Sequence, residues 1–366
     1  MTPIKWAALV PLTAVLVLVA AGCGSDDDAS QSASSGGGSK ERPLVGVLLP
    51  DSKSSSRWEM VDRPFLMQAF EAGGVDATIQ NAEGDKSTQQ QQAEQAITNG
   101  AKVLVLVNLD PGSGAAIAAN AKSNGVKVID YDRLTVDGDS DYYVSFDNER
   151  VGELQAEGLL DCLGNAGTPR IAHVNGSPTD NNAALLKRGA ATVLDPLYES
   201  GKAEKVAEQD VPDWDNQRAL TLFEQMLQQT DDEIDGVVAA NDGIANSVIS
   251  ALKQRKLEPI PVTGGDATAQ AITNIVKGDQ CMTVYKAIKK EAEAAARIGI
   301  PLAKGEEPEG VTDTVDNGAK EIPAILLEAD IVTRDNIGDF LGEPDFPPRE
   351  EICAGDAAEA CRDAGI

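Results

Sequence analysis

Short runs of valine, leucine and isoleucine alternate along most of this chain with segments whose apolar residues recur at helical spacing. The run 44–49 is typical of a buried strand. Segment 151–163 instead has apolar Val151, Leu154 and Leu159 on one face of a predicted helix. Continuous apolar strands separated by helices are characteristic of a parallel sheet covered by helices, so the pattern predicts an α/β fold.

The same alternation runs through two successive rounds of elements. A boundary between two lobes is expected near Asn148. The predicted strands are 44–49, 103–107, 126–129, 143–146, 170–174, 205–209, 236–240 and 262–264, and the predicted helices are 64–72, 88–99, 112–124, 151–163, 183–194, 216–229 and 244–254.

The amino-terminal segment has the composition of a secretory signal. Lys5 precedes an apolar run at 7–21, which contains Pro11 and is shorter than the roughly 20 residues that a membrane-spanning helix needs. The ending Leu-Val-Ala-Ala-Gly-Cys at 18–23 resembles a bacterial lipobox, which implies that Cys23 is lipidated and anchors an extracytoplasmic protein to the cell membrane. An ordinary signal peptide or a short membrane helix is the alternative.

The chain after this signal divides into a linker and a folded body. Residues 24–41 are mainly serine, glycine, aspartate and alanine, a composition that cannot bury enough surface to fold and predicts a flexible linker. The remaining residues exceed one typical core and predict two lobes of ordinary domain size.

Net charge and cysteine content restrict the partners. With 59 acidic against 31 basic residues the formal charge is −28, which argues against nucleic acid or an anionic lipid surface as partner.

Five cysteines become four if Cys23 carries lipid, and an even number in an exported protein favours disulfides. Cys353 and Cys361 are close neighbours and are expected to pair, which leaves Cys162 and Cys281, although four cysteines allow three connectivities. Metal binding is the alternative, which the absence of a CxxC motif disfavours.

Polar side chains follow the predicted strands in both halves of the chain. Because ligands of open α/β sheets bind at the carboxyl ends of strands, these residues are expected to face each other across a cleft. An aspartate or asparagine after a strand can equally be a helix cap, and Asp242 and Asn216 are candidates for that role alone. The residues that follow predicted strands include Arg57, Trp58, Asp132, Arg133, Asp180, Asn182, Trp214, Asn241, Asp266 and Lys286, the ten that the family resemblance described below implies as ligand contacts.

Two tryptophans favour a flat, polyhydroxylated ligand. Trp58 and Trp214 each follow a predicted strand and are flanked by charged residues, so we expect them to be incompletely buried and to clamp a ligand between their rings. A pyranose has apolar faces that stack on indole and hydroxyls that both donate and accept hydrogen bonds. No GxGxxG or GxxxxGK[ST] motif for a phosphate or nucleotide is present.

Several longer motifs resemble the sugar-type periplasmic binding proteins of ABC transporters, and most closely the D-xylose-binding family. They include Tyr-Asp-Arg at 131–133, Ser-Phe-Asp-Asn-Glu-Arg-Val-Gly at 145–152, Gly-Ser-Pro-Thr-Asp-Asn-Asn-Ala at 176–183 and Met-Thr-Val-Tyr-Lys at 282–286. The resemblance implies that the two tryptophans stack on the sugar. It also implies that the other eight candidate residues hydrogen-bond to the sugar.

The resemblance also implies an architecture and a mechanism. Two Rossmann-like lobes, 42–147 plus 286–322 and 148–285 plus 323–366, would be joined by three hinge crossings near residues 148, 285 and 323. Sugar would bind one lobe, the other would close over it, and the closed form would dock on a transporter permease. A monomer without cofactor is expected.

Other functions are weighed against this one. The family usually has a glutamine where this chain has Gly265, and related glucose and multiple-sugar receptors share some motifs, so an aldohexose ligand or a sensing role stays open. A glycosidase would need an acid/base carboxylate pair that is not evident, and the single histidine, His173, lies in a predicted strand as a core residue. A transcription regulator with this fold would need a DNA-binding helix-turn-helix ahead of the first lobe.

The acidic segment 137–148 has aspartates at alternate positions, Asp137, Asp139 and Asp141, as an EF-hand calcium loop does. It has Tyr142 where an EF-hand needs glycine and Asn148 where it needs glutamate, so no metal site is predicted.

Overall fold

Strands and helices alternate along residues 42–165 and 167–366, which are the residues that the computed structural model describes. The strands are β1 (Leu44–Leu49), β2 (Asp76–Asn81), β3 (Ala101–Leu106), β4 (Lys127–Tyr131), β5 (Tyr142–Phe146), β6 (Arg170–Asn175), β7 (Glu204–Asp210), β8 (Gly236–Ala239), β9 (Met282–Tyr285), β10 (Asp313–Asp316), β11 (Glu321–Leu327) and β12 (Asp330–Thr333). The helices are α1 (Arg63–Ala72), α2 (Lys86–Thr98), α3 (Pro111–Ser123), α4 (Asn148–Leu163), α5 (Asn181–Glu199), α6 (Asn216–Gln229), α7 (Asp242–Gln254), α8 (Ala269–Lys277), α9 (Ile288–Lys304), α10 (Ile337–Phe340), α11 (Arg349–Ile352) and α12 (Ala358–Asp363). The predicted signal, Cys23 and the linker lie outside the described residues.

The first lobe is built on a seven-stranded sheet in the order β10-β11-β5-β4-β3-β1-β2. All neighbouring strands are parallel except β10 and β11. Helices α1 and α9 pack on one face of this sheet, and α2 and α3 pack on the other. Burial on both faces explains why β1, β3 and β4 read as continuous apolar runs.

The second lobe has a parallel three-stranded sheet in the order β7-β6-β8 and an antiparallel pair, β12-β9. Helices α4 to α7 contribute side chains to its cores, and α8 packs with the carboxyl-terminal helices in a separate apolar cluster. The α/β prediction with parallel sheets is confirmed. The predicted strand at 262–264 is reduced to an isolated bridge between Val237 and Val262.

The chain passes between the lobes after β5, after β9 and after β11. The first two passages lie next to Asn148 and Tyr285, near the predicted hinge positions. The third differs from its prediction. Pro323 lies inside β11, which pairs with β5 of the first lobe through Leu327, so the chain leaves this sheet after Leu327 rather than near Pro323.

Two disulfides connect the expected cysteines. Cys162 in α4 is bonded to Cys281 next to β9, and Cys353 is bonded to Cys361 near the carboxyl terminus. The predicted pairing is therefore confirmed. In the described part of the chain, no helix has both the length and the hydropathy required to cross a bilayer.

Helices α4 and α5 approach each other closely because glycine occupies the contact on each helix. A Cβ added at Gly152 would overlap the carbonyl oxygen of Leu186, and one added at Gly189 would overlap the carbonyl oxygen of Glu149. Both clashes are with backbone atoms, which cannot rotate away. This contact sets the position of α5, whose N-cap is Asp180 and whose first turn contains Asn182.

Replacing Gly152 by alanine should therefore destabilise the protein. The strain of overpacking, typically about 1–3 kcal/mol, outweighs the gain of roughly 1 kcal/mol from the higher helix propensity of alanine. Thermal or urea unfolding measures the difference. Gly338 in α10 is the matched control, because a Cβ there would have no neighbour within 4 Å. Equal stability of Gly152→Ala and Gly338→Ala would contradict the close-packing argument.

Candidate functional site

A small cavity lies between the two lobes, at the ends of strands from both sheets, with about 430 Å³ of empty space that includes its opening to solvent. All ten residues proposed from the sequence and from the family resemblance line it. The complete lining is Ser54, Ser55, Arg57, Trp58, Asp132, Arg133, Asn148, Asp180, Asn182, Leu186, Trp214, Ala240, Asn241, Asp266 and Lys286.

The guanidinium of Arg57 lies among three carboxylates. Its Nε and Nη2 donate to the two carboxylate oxygens of Asp62, each at 2.9 Å, and Nη1 donates to Asp132 Oδ2 at 2.9 Å. Nη2 also donates to Glu291 Oε2 at 2.7 Å. Burial alone would lower the pKa of Arg57, but the carboxylates outweigh it and raise that pKa well above its ordinary value. Arg57 is therefore a permanently charged donor with a fixed orientation.

Side chains from the two lobes contact each other directly across the cavity. Arg133 Nε lies 2.8 Å from Asp180 Oδ2. Asn182 Nδ2 donates to the carbonyl oxygen and to Oδ1 of Asp132, both at 3.0 Å. Arg133 and Asp132 follow β4 in the first lobe, whereas Asp180 and Asn182 lie at the start of α5 in the second. The described conformation is thus a closed one, in which the lobes share hydrogen bonds.

The two tryptophans line the cavity but are more buried than expected. Trp58 is 3% exposed and Trp214 is 8% exposed, so the expectation that charged neighbours leave them incompletely buried was wrong. Arg57, the charged neighbour of Trp58, is itself buried and ion-paired: its guanidinium lies 4.4 Å from the centre of the Trp58 ring, and that of Arg133 lies 5.6 Å from it. Beside Trp214, by contrast, Asp213 is exposed although the indole is buried.

The indole of Trp214 is fixed by polar and steric contacts. Its Nε1 donates to Asp180 Oδ2 at 3.0 Å. The ring also packs against Gly176, where a Cβ would overlap it. The close approach of the Trp214 ring therefore explains why residue 176 of the motif 176–183 is a glycine.

An ion pair lies at the second passage between the lobes. Lys286 Nζ is 2.6 Å from Asp266 Oδ1, and both side chains are largely buried. Burial would raise the pKa of Asp266, but Lys286 and Arg57 lower it below its ordinary value. Asp266 itself has φ of 97°, and the next residue, Ala267, has φ of 52°. The backbone of this loop is therefore strained in order to present the carboxylate.

Asp242 stabilises that strained loop through hydrogen bonds to the loop and to β9. Its carboxylate accepts from the Thr268 amide at 2.7 Å and from the Thr283 hydroxyl at 2.7 Å. Burial and the nearby Asp266 raise the pKa of Asp242 to about 7. Asp242 does not have the capping role that was its alternative interpretation, because Asn241 caps α7 and the Asp242 side chain connects the loop to β9.

Capping and cavity lining are combined in the same residues elsewhere. Asn241 caps α7 by accepting from the amide of Ile244, and Asp180 caps α5 by accepting from the amide of Asn182. The cap of α6 is Asp215 rather than Asn216. A capping role therefore does not exclude a residue from the site, since the N-terminus of a helix points into the cavity.

Two charged residues of this site were missed. Asp62 and Glu291 are 0% exposed and hold Arg57 without lining the cavity. Asp62 looked like one of many surface acids. Glu291 lies in the segment Lys-Lys-Glu-Ala-Glu at 289–293, which reads as a solvated helix face. No signal in the sequence distinguishes Glu291 from its exposed neighbour Glu293.

The single histidine of the sequence lies away from this cavity. Within residues 42–165 and 167–366 no group of three or more histidine, cysteine, aspartate or glutamate side chains is arranged to hold a metal ion. His173 is 6% exposed in β6 and contacts the Tyr198 hydroxyl at 2.7 Å. Burial lowers the pKa of His173 to about 4, as expected for a neutral core residue.

Comparisons with known proteins agree with this architecture. A family model described as the periplasmic binding protein domain matches residues 45–307. The D-xylose-binding periplasmic protein of Escherichia coli K12 is 37% identical over 309 residues, covering 84% of this chain and 92% of that protein. The multiple sugar-binding periplasmic protein of Azospirillum brasilense is 35% identical, covering 79% and 85%.

A solved structure gives the same result in three dimensions. An ABC transporter solute binding protein from Clostridium phytofermentans, with bound β-D-glucose, has a TM-score of 0.78 and 30% sequence identity. The match covers 84% of this chain and 99% of that one. With a family model that matches most of its length, relatives above 30% identity and two α/β lobes around one cavity, the chain belongs to the periplasmic binding protein family and has its type I fold.

Proposed function

We propose that this protein captures a monosaccharide between its lobes and that D-xylose is its preferred ligand. The observation that carries the proposal is the charge balance of the cavity. Three cations, Arg57, Arg133 and Lys286, line it together with three carboxylates, and each cation is already paired with a carboxylate. A phosphate or carboxylate ligand would have to displace those pairs, whereas a neutral polyol can use the remaining donors and acceptors of both kinds.

The choice of D-xylose is supported by relatives of this chain. The D-xylose-binding periplasmic proteins of Escherichia coli and Haemophilus influenzae are 37% and 38% identical to this chain. Glucose or several aldoses are the alternative, supported by the multiple sugar-binding relative and by the structural neighbour with bound β-D-glucose. D-glucose has one hydroxymethyl group more than D-xylose. The closed cavity can bind D-glucose only if it has room for that group.

Ligand identity is tested by a thermal-shift panel of D-xylose, D-glucose, L-arabinose, D-ribose and D-galactose on the purified protein. A ligand that binds only the folded state raises the melting temperature by mass action. D-xylose is expected to give the largest shift at equal concentration. A larger shift with D-glucose would favour the alternative, and no shift with any of the five sugars would refute the sugar-binding proposal.

Arg133 offers a direct test of the proposed contacts. Replacing Arg133 by methionine removes a donor to the ligand and the ion pair with Asp180 that joins the lobes. Hydrogen bonds to charged groups contribute about 1.5–3 kcal/mol, so D-xylose affinity should fall tenfold or more. Isothermal titration measures it. Arg150→Met is the control, because Arg150 forms its ion pairs with Glu153 and Glu157 at the surface. Equal affinity in both variants would count against the site.

Delivery of the sugar to an ABC transporter completes the proposal, with Cys23 as the lipid anchor. Support comes from the family and from the lipobox-like segment 18–23. The function proposed is capture rather than catalysis. A receptor that feeds a sensing partner would use the same cavity and differ only in the surface that it docks on.

Cys23→Ser in the full-length chain tests the anchor. Without the thiol no lipid can be attached, so the protein should move from the membrane fraction to the soluble extracytoplasmic fraction. Cell fractionation with immunodetection reads this out. Cys353→Ser, which opens the disulfide to Cys361 and leaves Cys23 in place, is the control. Retention of the Cys23→Ser variant in the membrane fraction would argue against lipid anchoring.

A further inference from the structure

Two carboxylates lie behind the cavity wall without contributing to it. Asp62 ends the π-helical turn Trp58–Asp62, and Glu291 lies in the first turn of α9. Both are 0% exposed, and both hydrogen-bond to Arg57, which does line the cavity. They are therefore connected to the site through a single side chain.

The hydrogen bonds of Arg57 fix its orientation almost completely. A guanidinium has five N–H bonds. Four of them are directed at the carboxylates of Asp62, Asp132 and Glu291. The fifth, on Nη1, is left for a ligand in the cavity. Its direction follows from how the other four are held, because the guanidinium is planar and rigid.

Asp62 and Glu291 hold different parts of this plane. Asp62 accepts hydrogen bonds from Nε and Nη2 in a bidentate pair, which orients the guanidinium plane. One carboxylate alone does not prevent the long arginine side chain from rotating. Glu291 holds Nη2 from a second element, α9, at 2.7 Å. Arg57 is thereby fixed from two directions on the side away from the cavity.

The position of Glu291 is unfavourable for stability. Its Oε1 is buried with no hydrogen-bond partner among the described residues. Burial raises the pKa of Glu291 well above its usual range, Arg57 opposes this, and the neighbouring carboxylates of Asp132 and Asp62 add to it. Burying a carboxylate with one unsatisfied oxygen costs free energy, so a gain in fold stability does not explain this residue.

We propose that Glu291 is a positioning residue for ligand binding, which holds Nη2 of Arg57 and thereby directs the remaining Nη1 hydrogen at a bound sugar hydroxyl. It acts through Arg57 and does not touch the ligand. This inference rests on the proposed sugar-binding function.

A double-mutant cycle on D-xylose affinity tests the route through Arg57. Glu291→Leu should weaken binding at least tenfold in the wild-type background. In the Arg57→Met background the same change should alter affinity less than twofold, since the side chain that Glu291 positions is gone. The same fold-loss in both backgrounds would overturn the proposal.

Conservative variants separate positioning from a general effect on folding. Glu291→Gln keeps an acceptor for Nη2 and should stay within threefold of wild-type affinity, with an equal or higher melting temperature. Glu291→Asp keeps the charge, but its side chain is one methylene shorter and its carboxylate no longer reaches Arg57 Nη2. It should therefore weaken binding as Glu291→Leu does. Wild-type affinity in Glu291→Asp would overturn the proposal even if the leucine variant does not fold.

Gln89→Leu is the matched control for a buried polar residue of the first lobe. Gln89 is 0% exposed in α2 and donates to the carbonyl oxygen of Val107, away from the cavity. Its loss should lower the melting temperature and leave D-xylose affinity unchanged. A comparable loss of affinity in Gln89→Leu would mean that the effect of Glu291→Leu is general destabilisation, and the positioning role would be rejected.

Failure of the proposed function has a different signature. If the wild-type protein binds none of the five sugars, the sugar-binding proposal fails. Crystal structures of the wild type and Glu291→Asp then decide the positioning role. A guanidinium that rotates away from Asp132 in the variant supports it, and an unmoved guanidinium overturns it.

Discussion

The pairing of buried charges across the cavity is the constraint on which the rest of this structure depends. Eight charged side chains, counting Asp62 and Glu291, meet where the carboxyl ends of two parallel sheets face each other. An unpaired charge in such a place would be costly, and breaking one buried pair leaves its partner uncompensated. The fold therefore has to place cations and carboxylates from different elements within hydrogen-bonding distance of each other.

Neutralisation within the protein also determines what the cavity can recognise. Because Arg57, Arg133 and Lys286 are already paired, they act as oriented hydrogen-bond donors more than as a net positive charge. Together with buried carboxylate and amide oxygens they form a set of donors and acceptors that suits the hydroxyls of a neutral polyol. The whole chain has a formal net charge of −28, whereas the cavity lining contains three cations and three carboxylates and is therefore electrically balanced.

The same pairs connect ligand binding with lobe closure. Arg133 with Asp180, and Asp132 with Asn182, join residues that are distant in sequence and belong to different lobes. Separating the lobes would break these contacts, so they stabilise the described closed arrangement without a ligand. A ligand that forms hydrogen bonds to both lobes would stabilise it further, by its differential affinity for that arrangement.

The amino-acid pattern by itself determined the α/β class and the parallel sheets, because apolar runs report buried strands, and the polar residues after those runs indicated the sheet edge at which the cavity lies. The choice of ten candidate residues among them came from the family resemblance. The sequence did not predict the half-exposed β2, whose polar sequence Asp-Ala-Thr-Ile-Gln-Asn carries little strand signal, and it placed the last crossing inside β11. Only the tertiary structure decided that both tryptophans are buried, that Asp242 supports the loop of Asp266, and that Glu291 rather than Glu293 reaches Arg57. The reason is physical: burial and ion pairing depend on which distant elements meet, and a local pattern of residues does not contain that information.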